Sequence, residues 1–226
     1  MRRIILVLEV GIAGSVAFGQ SPADHPRCDA LLPEILTLVN SVRAASFPQL
    51  SGVEITLHTM RSDNIYFESR FTLSSFFFAR KLRYMVLFNP EAVARQVPQE
   101  GLRAIVAHEL AHIDYFHRHR RLGLVRLIQL LWAPFRARFE RGADLEVIAL
   151  GYGQDLESYR IWLYNNVPAN KIEEKKRDYF SPAEIDAILL AARLDPQIMR
   201  AFSACVPRGL AEVEQRAQNP GAPCVR

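Results

Sequence analysis

His-Glu-Leu-Ala-His at residues 108–112 is the stretch that decides the fold of this chain. On an α-helix, side chains four residues apart lie one above the other, about 6 Å apart. The imidazoles of His108 and His112 therefore point at one place and can share a tetrahedral metal ion. Glu109 lies about 100° around the helix from His108, where its carboxylate can take a proton from a metal-bound water. The pattern predicts one zinc ion, with Glu109 as the general base.

The residues around this motif favour a buried helix. Pro98 stands at a suitable first helical position, and Glu100 places a negative charge in the first turn, where the helix dipole favours it. Apolar residues at helical spacing follow, namely Leu102, Ile105, Val106, Leu110 and Ile113. Both histidines are therefore expected on or beside a helix that packs against a core. The alternative is a pair of buried histidines satisfied by hydrogen bonds alone.

Residues 139–146 contain the ligand that two histidines leave missing. Catalytic zinc sites have three protein ligands and keep the fourth position for water, and Glu140 is the predicted third ligand. On a helix Asp144 lies one turn beyond, where it can accept the outer N–H of a ligating histidine and fix its tautomer. Glu146 points elsewhere on the helix and is the weaker candidate. The alternative for these acids is a solvated helix face beside three arginines of the same segment.

The two motifs resemble those of the gluzincin metallopeptidases. A helical His-Glu-x-x-His followed by Glu-x-x-Ala-Asp is similar to the CAAX prenyl protease and HtpX group of membrane-associated peptidases. The resemblance implies zinc on His108, His112 and Glu140, with Glu109 as general base and Asp144 as an orienting partner. In that group the segment between the two motifs is usually longer and carries spanning helices, whereas here it has 27 residues.

The segments before the motif indicate a helix followed by strands. Helical spacing predicts a helix over residues 31–42, and alternating apolar residues predict an antiparallel pair of strands at 53–57 and 65–71. Residues 82–88 alternate next and end just before the motif helix. If this strand lies at a sheet edge, Arg83 to Leu87 are candidate partners for the backbone of an extended substrate. An interior strand is the alternative.

The part of the chain after Gly151 is expected to be helical. Ser181-Pro182-Ala183-Glu184 is a capping box with proline at the first helical position. With the resemblance, which covers residues 82–151, these patterns predict an α+β, zincin-like fold. We expect a small antiparallel or mixed sheet, the motif helix and a helical C-terminal half. The 226 residues suit one core, so residues 20–226 are predicted to form a single metallopeptidase domain.

Peptide hydrolysis also requires a group that stabilises negative charge on the carbonyl oxygen. Arg160 and Tyr159 are the preferred candidates, and His117 and Tyr179 are the others. Arg160 has an equally acceptable structural alternative, which is an ion pair with a buried carboxylate.

The amino terminus has the features of an export signal. Met1-Arg2-Arg3 is a basic start, Ile4 to Phe18 is mostly apolar, and Ala17-Phe18-Gly19 is a small-x-small cleavage site. Residues 1–19 are therefore predicted to be a signal peptide, or an uncleaved anchor since Glu9 interrupts the apolar stretch. The protein is expected to be exported, to the periplasm or the medium.

Three cysteines follow the predicted signal, namely Cys28, Cys205 and Cys224. In an oxidising compartment two of them can pair, and three pairings are open. Cys205 with Cys224 closes the shortest loop, and three buried free thiols are the alternative.

Residues 118–138 combine an apolar stretch with arginines at both ends. The 14 residues from Leu122 to Phe135 would cover about 21 Å as a helix, less than the ~30 Å hydrocarbon core of a bilayer. Trp132 and the basic ends suit a headgroup boundary, which predicts peripheral membrane contact. A core helix broken at Pro134 is the alternative. The net charge of +4, or +3 without residues 1–19, is too small to indicate nucleic-acid binding.

Together these patterns predict an exported zinc metalloendopeptidase that acts on peptide or protein substrates. One alternative is a non-catalytic protein that uses the zinc helix as a structural or protein-binding element. A second is a membrane-surface regulator that works through its arginine-flanked segment.

Cleavage of the signal can be tested by N-terminal sequencing and intact-mass measurement of the protein from its native host. We expect the mature chain to begin near Gln20 and to contain at most one intramolecular disulfide under oxidising conditions. Intact Met1 on a cytosolic protein with three reduced thiols would contradict export.

Overall fold

The structure is a computed structural model that describes residues 26–79, 81–119, 129 and 132–224. The predicted signal at residues 1–19 lies outside these ranges, as does most of the arginine-flanked segment. The helices are α1 (Pro26–Ser46), α2 (Leu73–Phe78), α3 (Glu91–Ala94), α4 (Gln99–Arg118), α5 (Ala133–Val147), α6 (Gly153–Asn166), α7 (Ala169–Asp178), α8 (Pro182–Leu194), α9 (Ile198–Ala204) and α10 (Leu210–Gln218). The strands are β1 (Ile55–Thr59), β2 (Phe67–Phe71) and β3 (Tyr84–Phe88). This is an α+β fold.

The sheet is mixed, and β3 is its central strand. β1 pairs with β3 in parallel, with Ile55 opposite Tyr84, whereas β2 pairs with β3 antiparallel, with Phe67 opposite Phe88. The predicted antiparallel pairing of the first two strands is therefore wrong. Of the two alternatives for Arg83 to Leu87, the structure contains the interior strand, since both edges of β3 are occupied.

Side-chain composition explains why β3 takes the centre. Its sequence is Tyr-Met-Val-Leu-Phe. The first, third and fifth residues are buried and the other two are half-buried, so both faces of the strand are covered. β1 carries His58 and two threonines and is largely exposed. Both faces of an interior strand are covered, and β3 carries no charged residue, whereas β2 carries Glu68 and Arg70.

The motif helix α4 runs through the middle of the molecule. It begins at Gln99 with Pro98 immediately before it, and it contacts α1, α5, α6 and β2. The buried side chains Leu110, Ile113 and Phe116 anchor it in the hydrophobic core. At Gly101 it approaches α6 so closely that an added Cβ would lie 3.2 Å from the Cβ of Tyr159. The missing side chain at residue 101 therefore lets the two helices meet.

Pro134 stands where a helix begins, and the core helix that the sequence offers before it as an alternative lies mostly outside the described residues. Pro134 lies in the first turn of α5, where the absent N–H of a proline has no helical partner to lose. The helix then continues through Glu140 and Asp144. Trp132 just before it is 68% exposed, while residues 120–128 and 130–131 of the predicted membrane-contact segment lie outside the description. In the described part of the chain no helix is long and apolar enough to cross a bilayer.

The C-terminal half is helical, as predicted. The hydroxyl of Ser181 accepts a hydrogen bond from the Glu184 backbone N–H at 3.4 Å, and the Glu184 carboxylate accepts from the Ser181 N–H at 2.7 Å. This confirms the capping box of α8. Of the three cysteine pairings that the sequence leaves open, the structure contains the disulfide between Cys205 and Cys224, with Cα atoms 5.6 Å apart. It ties the end of α9 to the tail that follows α10.

Gly151 and Gly142 offer a matched pair of stability tests. Gly151 lies between α5 and α6 with a φ of +94°, a backbone conformation that other residues adopt only with strain. Gly142 is a helical residue of α5, and an added Cβ there would meet no neighbouring atom within 4 Å. We expect Gly151→Ala to lower the free energy of unfolding by about 1–2 kcal/mol. Gly142→Ala should raise it by up to about 1 kcal/mol. Urea unfolding followed by circular dichroism measures both; equal effects would contradict the assigned conformations.

Candidate metal centre

Three side chains from two helices meet at one point inside the protein. His108 and His112 lie one turn apart on α4, and Glu140 approaches them from α5. The Nε2 atoms of the two histidines are 3.0 Å apart, and Glu140 Oε2 lies 3.1 Å from each. All three residues are almost completely buried. The structure thus brings together the three residues that the sequence predicts as ligands.

The spacing of these three atoms fits a zinc ion. A triangle with sides of 3.0–3.1 Å has its centre about 1.8 Å from each corner, so a point about 2.0–2.1 Å from all three atoms, the usual Zn–N and Zn–O distance, lies just above its plane. Glu140 Oε1 is buried and has no hydrogen-bond partner among the described residues. Two imidazole nitrogens and a carboxylate are also the donor types that zinc prefers. The cluster is therefore suited to hold one zinc ion.

Asp144 stands behind this cluster. Its Oδ1 atom lies 2.8 Å from Nδ1 of His108, although the ring is not aligned for a strong hydrogen bond. Oδ1 also accepts a hydrogen bond from Arg160 at 2.7 Å, and Oδ2 accepts one from the backbone N–H of Phe180 at 3.1 Å. The short contact favours the proton of His108 on Nδ1, which leaves Nε2 free to bind a metal.

Aromatic rings fix the orientation of the two imidazoles. The ring of Phe139 stacks on His112 with 4.6 Å between centroids and 12° between planes. The ring of Tyr179 packs against His108 with a centroid distance of 5.9 Å. Packing therefore restricts both histidines to orientations that face Glu140.

The pKa shifts in this cluster indicate that a cation would compete with a proton on His108. Burial lowers the pKa of His108, but the carboxylates of Asp144 and Glu140 outweigh burial and raise it to about 10. Burial opposes ionisation of Glu140, yet the two histidines hold the pKa of its carboxyl well below the usual range. A metal ion entering the cluster competes with the proton on His108. Its affinity is therefore expected to fall as the pH is lowered.

Glu109 lines the same cavity as the three candidate ligands. Burial raises its pKa, and the nearby histidines partly oppose this shift. The Ser69 hydroxyl also opposes it, although it forms no well-aligned hydrogen bond. The cavity has a volume of about 40 Å³, roughly room for one or two water molecules. A carboxylate with a raised pKa beside such a space is suited to exchange protons with a water molecule.

The candidates for stabilising a negatively charged oxygen have different positions. Arg160, Tyr159 and Tyr179 line the cavity, whereas His117 is exposed and does not line it. Arg160 forms the structural ion pair that the sequence left open, because its guanidinium donates to Asp144. Burial strongly raises the pKa of Tyr179, which keeps its hydroxyl protonated.

Lys175 is a cavity residue that sequence reasoning missed. It belongs to α7, is 7% exposed and lines the cavity beside Glu140 and Tyr179. Burial lowers its pKa, and the negative charge of Glu140 opposes that shift. The sequence around it, Glu-Glu-Lys-Lys-Arg, is typical of a solvated helix, so only the packing of α7 reveals that one lysine turns inward.

Arg141 fixes this wall of the cavity. It follows Glu140 on α5 and donates hydrogen bonds to the carbonyl of Lys176 at 2.9 Å and to the Glu184 carboxylate at 2.7 Å. A further hydrogen bond of 3.2 Å reaches the carbonyl of Arg177. The end of α7 and the start of α8 are thereby held against α5, which places Lys175 beside the candidate ligands.

Comparison of the chain with protein-family models, with curated proteins and with solved structures finds no match.

Zinc binding provides the first test of this cluster. The purified protein should hold about one zinc ion, and His108→Ala, His112→Ala and Glu140→Gln should each lose it, because three protein ligands are required. Asp144→Asn should weaken zinc affinity about 10–100-fold, as expected for a partner that orients a ligand.

The matched control is Glu146→Gln, which makes the same change on the same helix at a residue that lies outside the triad and 3.6 Å from Arg118. It should keep its zinc. Atomic emission of dialysed protein measures the stoichiometry, and competition with a chromogenic chelator measures affinity. Full zinc content in Glu140→Gln would show that a residue other than Glu140 is the third ligand.

Proposed function

We propose that the protein is a zinc-dependent metalloendopeptidase of the gluzincin type, with a zincin-like fold. The observation that carries the proposal is the convergence of His108, His112 and Glu140 on one point, with Glu109 lining the same cavity. A structural zinc site needs no acid at this place, whereas a hydrolytic site needs a base beside the metal. The combination therefore favours peptide hydrolysis.

Each residue has a defined task in this proposal. Zinc, when bound by His108, His112 and Glu140, polarises the carbonyl of the scissile bond and makes water a better nucleophile. Glu109 takes a proton from the attacking water and returns it to the leaving amine. Asp144 keeps the proton of His108 on Nδ1 and so maintains Nε2 as a donor to the metal.

Strand β2 is the proposed docking edge for an extended peptide. Asn64 to Ser69, which include the first part of β2, line the cavity as one continuous segment. β2 is an edge strand, and within the described part of the chain its one strand partner is β3. Its free backbone groups can pair with a substrate chain and lay a peptide bond across the metal centre. β2 thus takes the role that the sequence assigned to β3.

Export and membrane contact complete the proposal. The disulfide between Cys205 and Cys224 supports an oxidising compartment, since such bonds are rare in the cytosol. Exposed aromatic side chains at Phe77, Phe78 and Trp132 support peripheral contact with a membrane surface.

One observation favours a non-catalytic zinc protein as the second candidate. The three candidate ligands are almost completely buried, and the space beside them of about 40 Å³ admits only small groups. A zinc site that stabilises the fold requires no access for a substrate.

Glu109→Gln separates the two candidates, because it removes the base but no ligand. The variant should retain zinc and stability and lose at least about 100-fold in peptide hydrolysis, the lower end of what general-base catalysis contributes. Glu100→Gln is the matched control on the same helix, at an exposed position in the first turn. It should hydrolyse peptides as the unmodified protein does.

The measurement is cleavage of a broad peptide library by zinc-loaded protein, read by mass spectrometry. Equal and negligible cleavage by the unmodified protein and by Glu109→Gln, with zinc bound in both, would favour the non-catalytic candidate.

A further inference from the structure

Lys175 is a buried basic side chain without a counter-charge of its own. It is 7% exposed and lines the cavity together with His108, His112 and Glu140. Among the described residues its Nζ atom forms no ion pair or hydrogen bond, and its contact is with the face of Tyr179, 5.4 Å from the ring centre. An ammonium group in this position is available to a ligand.

Among the described residues the other lysine or arginine that lines the cavity is Arg160, which is paired with Asp144 at 2.7 Å. The basic residues around Lys175 on α7 are also paired, as Lys171–Glu174 at 3.1 Å, Lys176–Glu173 at 3.0 Å and Arg177–Asp178 at 2.8 Å. Burying an ammonium group without such a partner is unfavourable. Lys175 carries this cost at the wall of the metal site, which indicates a role there.

The size and charge of the cavity restrict what Lys175 can bind. A volume of about 40 Å³ admits roughly one or two water-sized groups, which limits the ligand to a small anion or to one oxygen atom of a larger molecule. Glu68 lines the cavity but is paired with Arg70, so the carboxylates of Glu109 and Glu140, with Asp144 behind them, are balanced against Arg160 and Lys175. A divalent cation at the triad therefore leaves one net positive charge.

We propose that Lys175 binds the negative charge that develops on the substrate carbonyl oxygen during peptide hydrolysis. The inference rests on the proposed function, because it requires a metal at the triad and a carbonyl group under attack. Arg160 is less suited to this task because Asp144 already balances its charge. The ring of Tyr179 holds the ammonium in place through its negatively polarised face. Lys175 stabilises charge and transfers no proton.

Anion binding measures this role without any peptide. The probe is azide titrated into Co²⁺-loaded protein, with the visible absorption of the metal as the readout. Lys175→Met should weaken azide binding at least about tenfold, since a positive charge near the anion is removed. The same variant should bind zinc more tightly, roughly tenfold, because the lost charge repelled the metal. A residue with only a packing role would not strengthen metal binding.

Lys176→Met is the matched control. It removes the same charge from the adjacent residue, whose side chain is exposed and pairs with Glu173. Azide and zinc affinities should equal those of the unmodified protein. Lys175→Arg keeps the charge and should retain azide binding, whereas Lys175→Gln should lose it. This pair gives the same comparison if methionine prevents folding.

The outcomes distinguish this inference from the proposed function. In an active enzyme kcat of Lys175→Met should fall about 100-fold with little change in KM, because the charge develops only in the transition state. Unchanged azide affinity and unchanged kcat in Lys175→Met and Lys175→Gln would overturn the role of Lys175 and leave the peptidase intact. Azide binding that depends on Lys175 in a protein that cleaves no peptide would overturn the peptidase and retain Lys175 as an anion ligand. A protein that binds no zinc would overturn both.

Discussion

The buried carboxylate of Asp144 holds together the parts of the protein that form the candidate metal centre. It lies within 2.8 Å of a nitrogen of His108, accepts a hydrogen bond from Arg160 and accepts another from the backbone of Phe180. These contacts join α4, α5, α6 and the connection between α7 and α8 at one side chain. Loss of the carboxylate would leave Arg160 buried without a counter-charge, which typically costs 3–5 kcal/mol.

The charges around Asp144 make the cluster suitable for a cation. Glu68 is paired with Arg70, and the other three buried carboxylates, those of Glu109, Glu140 and Asp144, outnumber the basic side chains of Arg160 and Lys175. Without a metal the proton on His108 makes up the difference, which is why the pKa of that histidine is raised to about 10. A divalent cation bound by the triad would replace this proton and leave one net positive charge, which would attract an anion.

The burial of the candidate ligands and the position of β2 both bear on access to the site. Candidate ligands that are almost fully buried are held in one geometry, which would favour tight metal binding. Because β2 is bonded to the sheet along one edge, it is the wall of the cavity that can move with the smallest loss of hydrogen bonds. The proposed docking edge and the part of the wall that can move most easily are therefore the same strand.

The sequence determined the local geometry of this protein. Residues four apart on a helix share a face, and so His108 with His112, and Glu140 with Asp144, could be placed from spacing alone. The capping box at Ser181 and the helix over residues 31–42 follow from equally local rules, and the structure contains both. Local rules also explain the errors: alternation predicts a strand but carries no information on its neighbours, and β3 therefore lies between β1 and β2.

Tertiary structure decided which distant groups meet. Arg160 is 16 residues from Asp144, and the sequence left open whether it stabilises an oxyanion or pairs with a carboxylate; the packing of α5 and α6 makes it the partner of Asp144. Lys175 lies in a charged run typical of a solvated helix. Hydrogen bonds from Arg141 to the end of α7 hold that helix so that Lys175 faces the cavity. The disulfide between Cys205 and Cys224 is one of three pairings that spacing allows. Such outcomes depend on how helices pack, which is set by the whole core, whereas the motif depends only on the pitch of one helix.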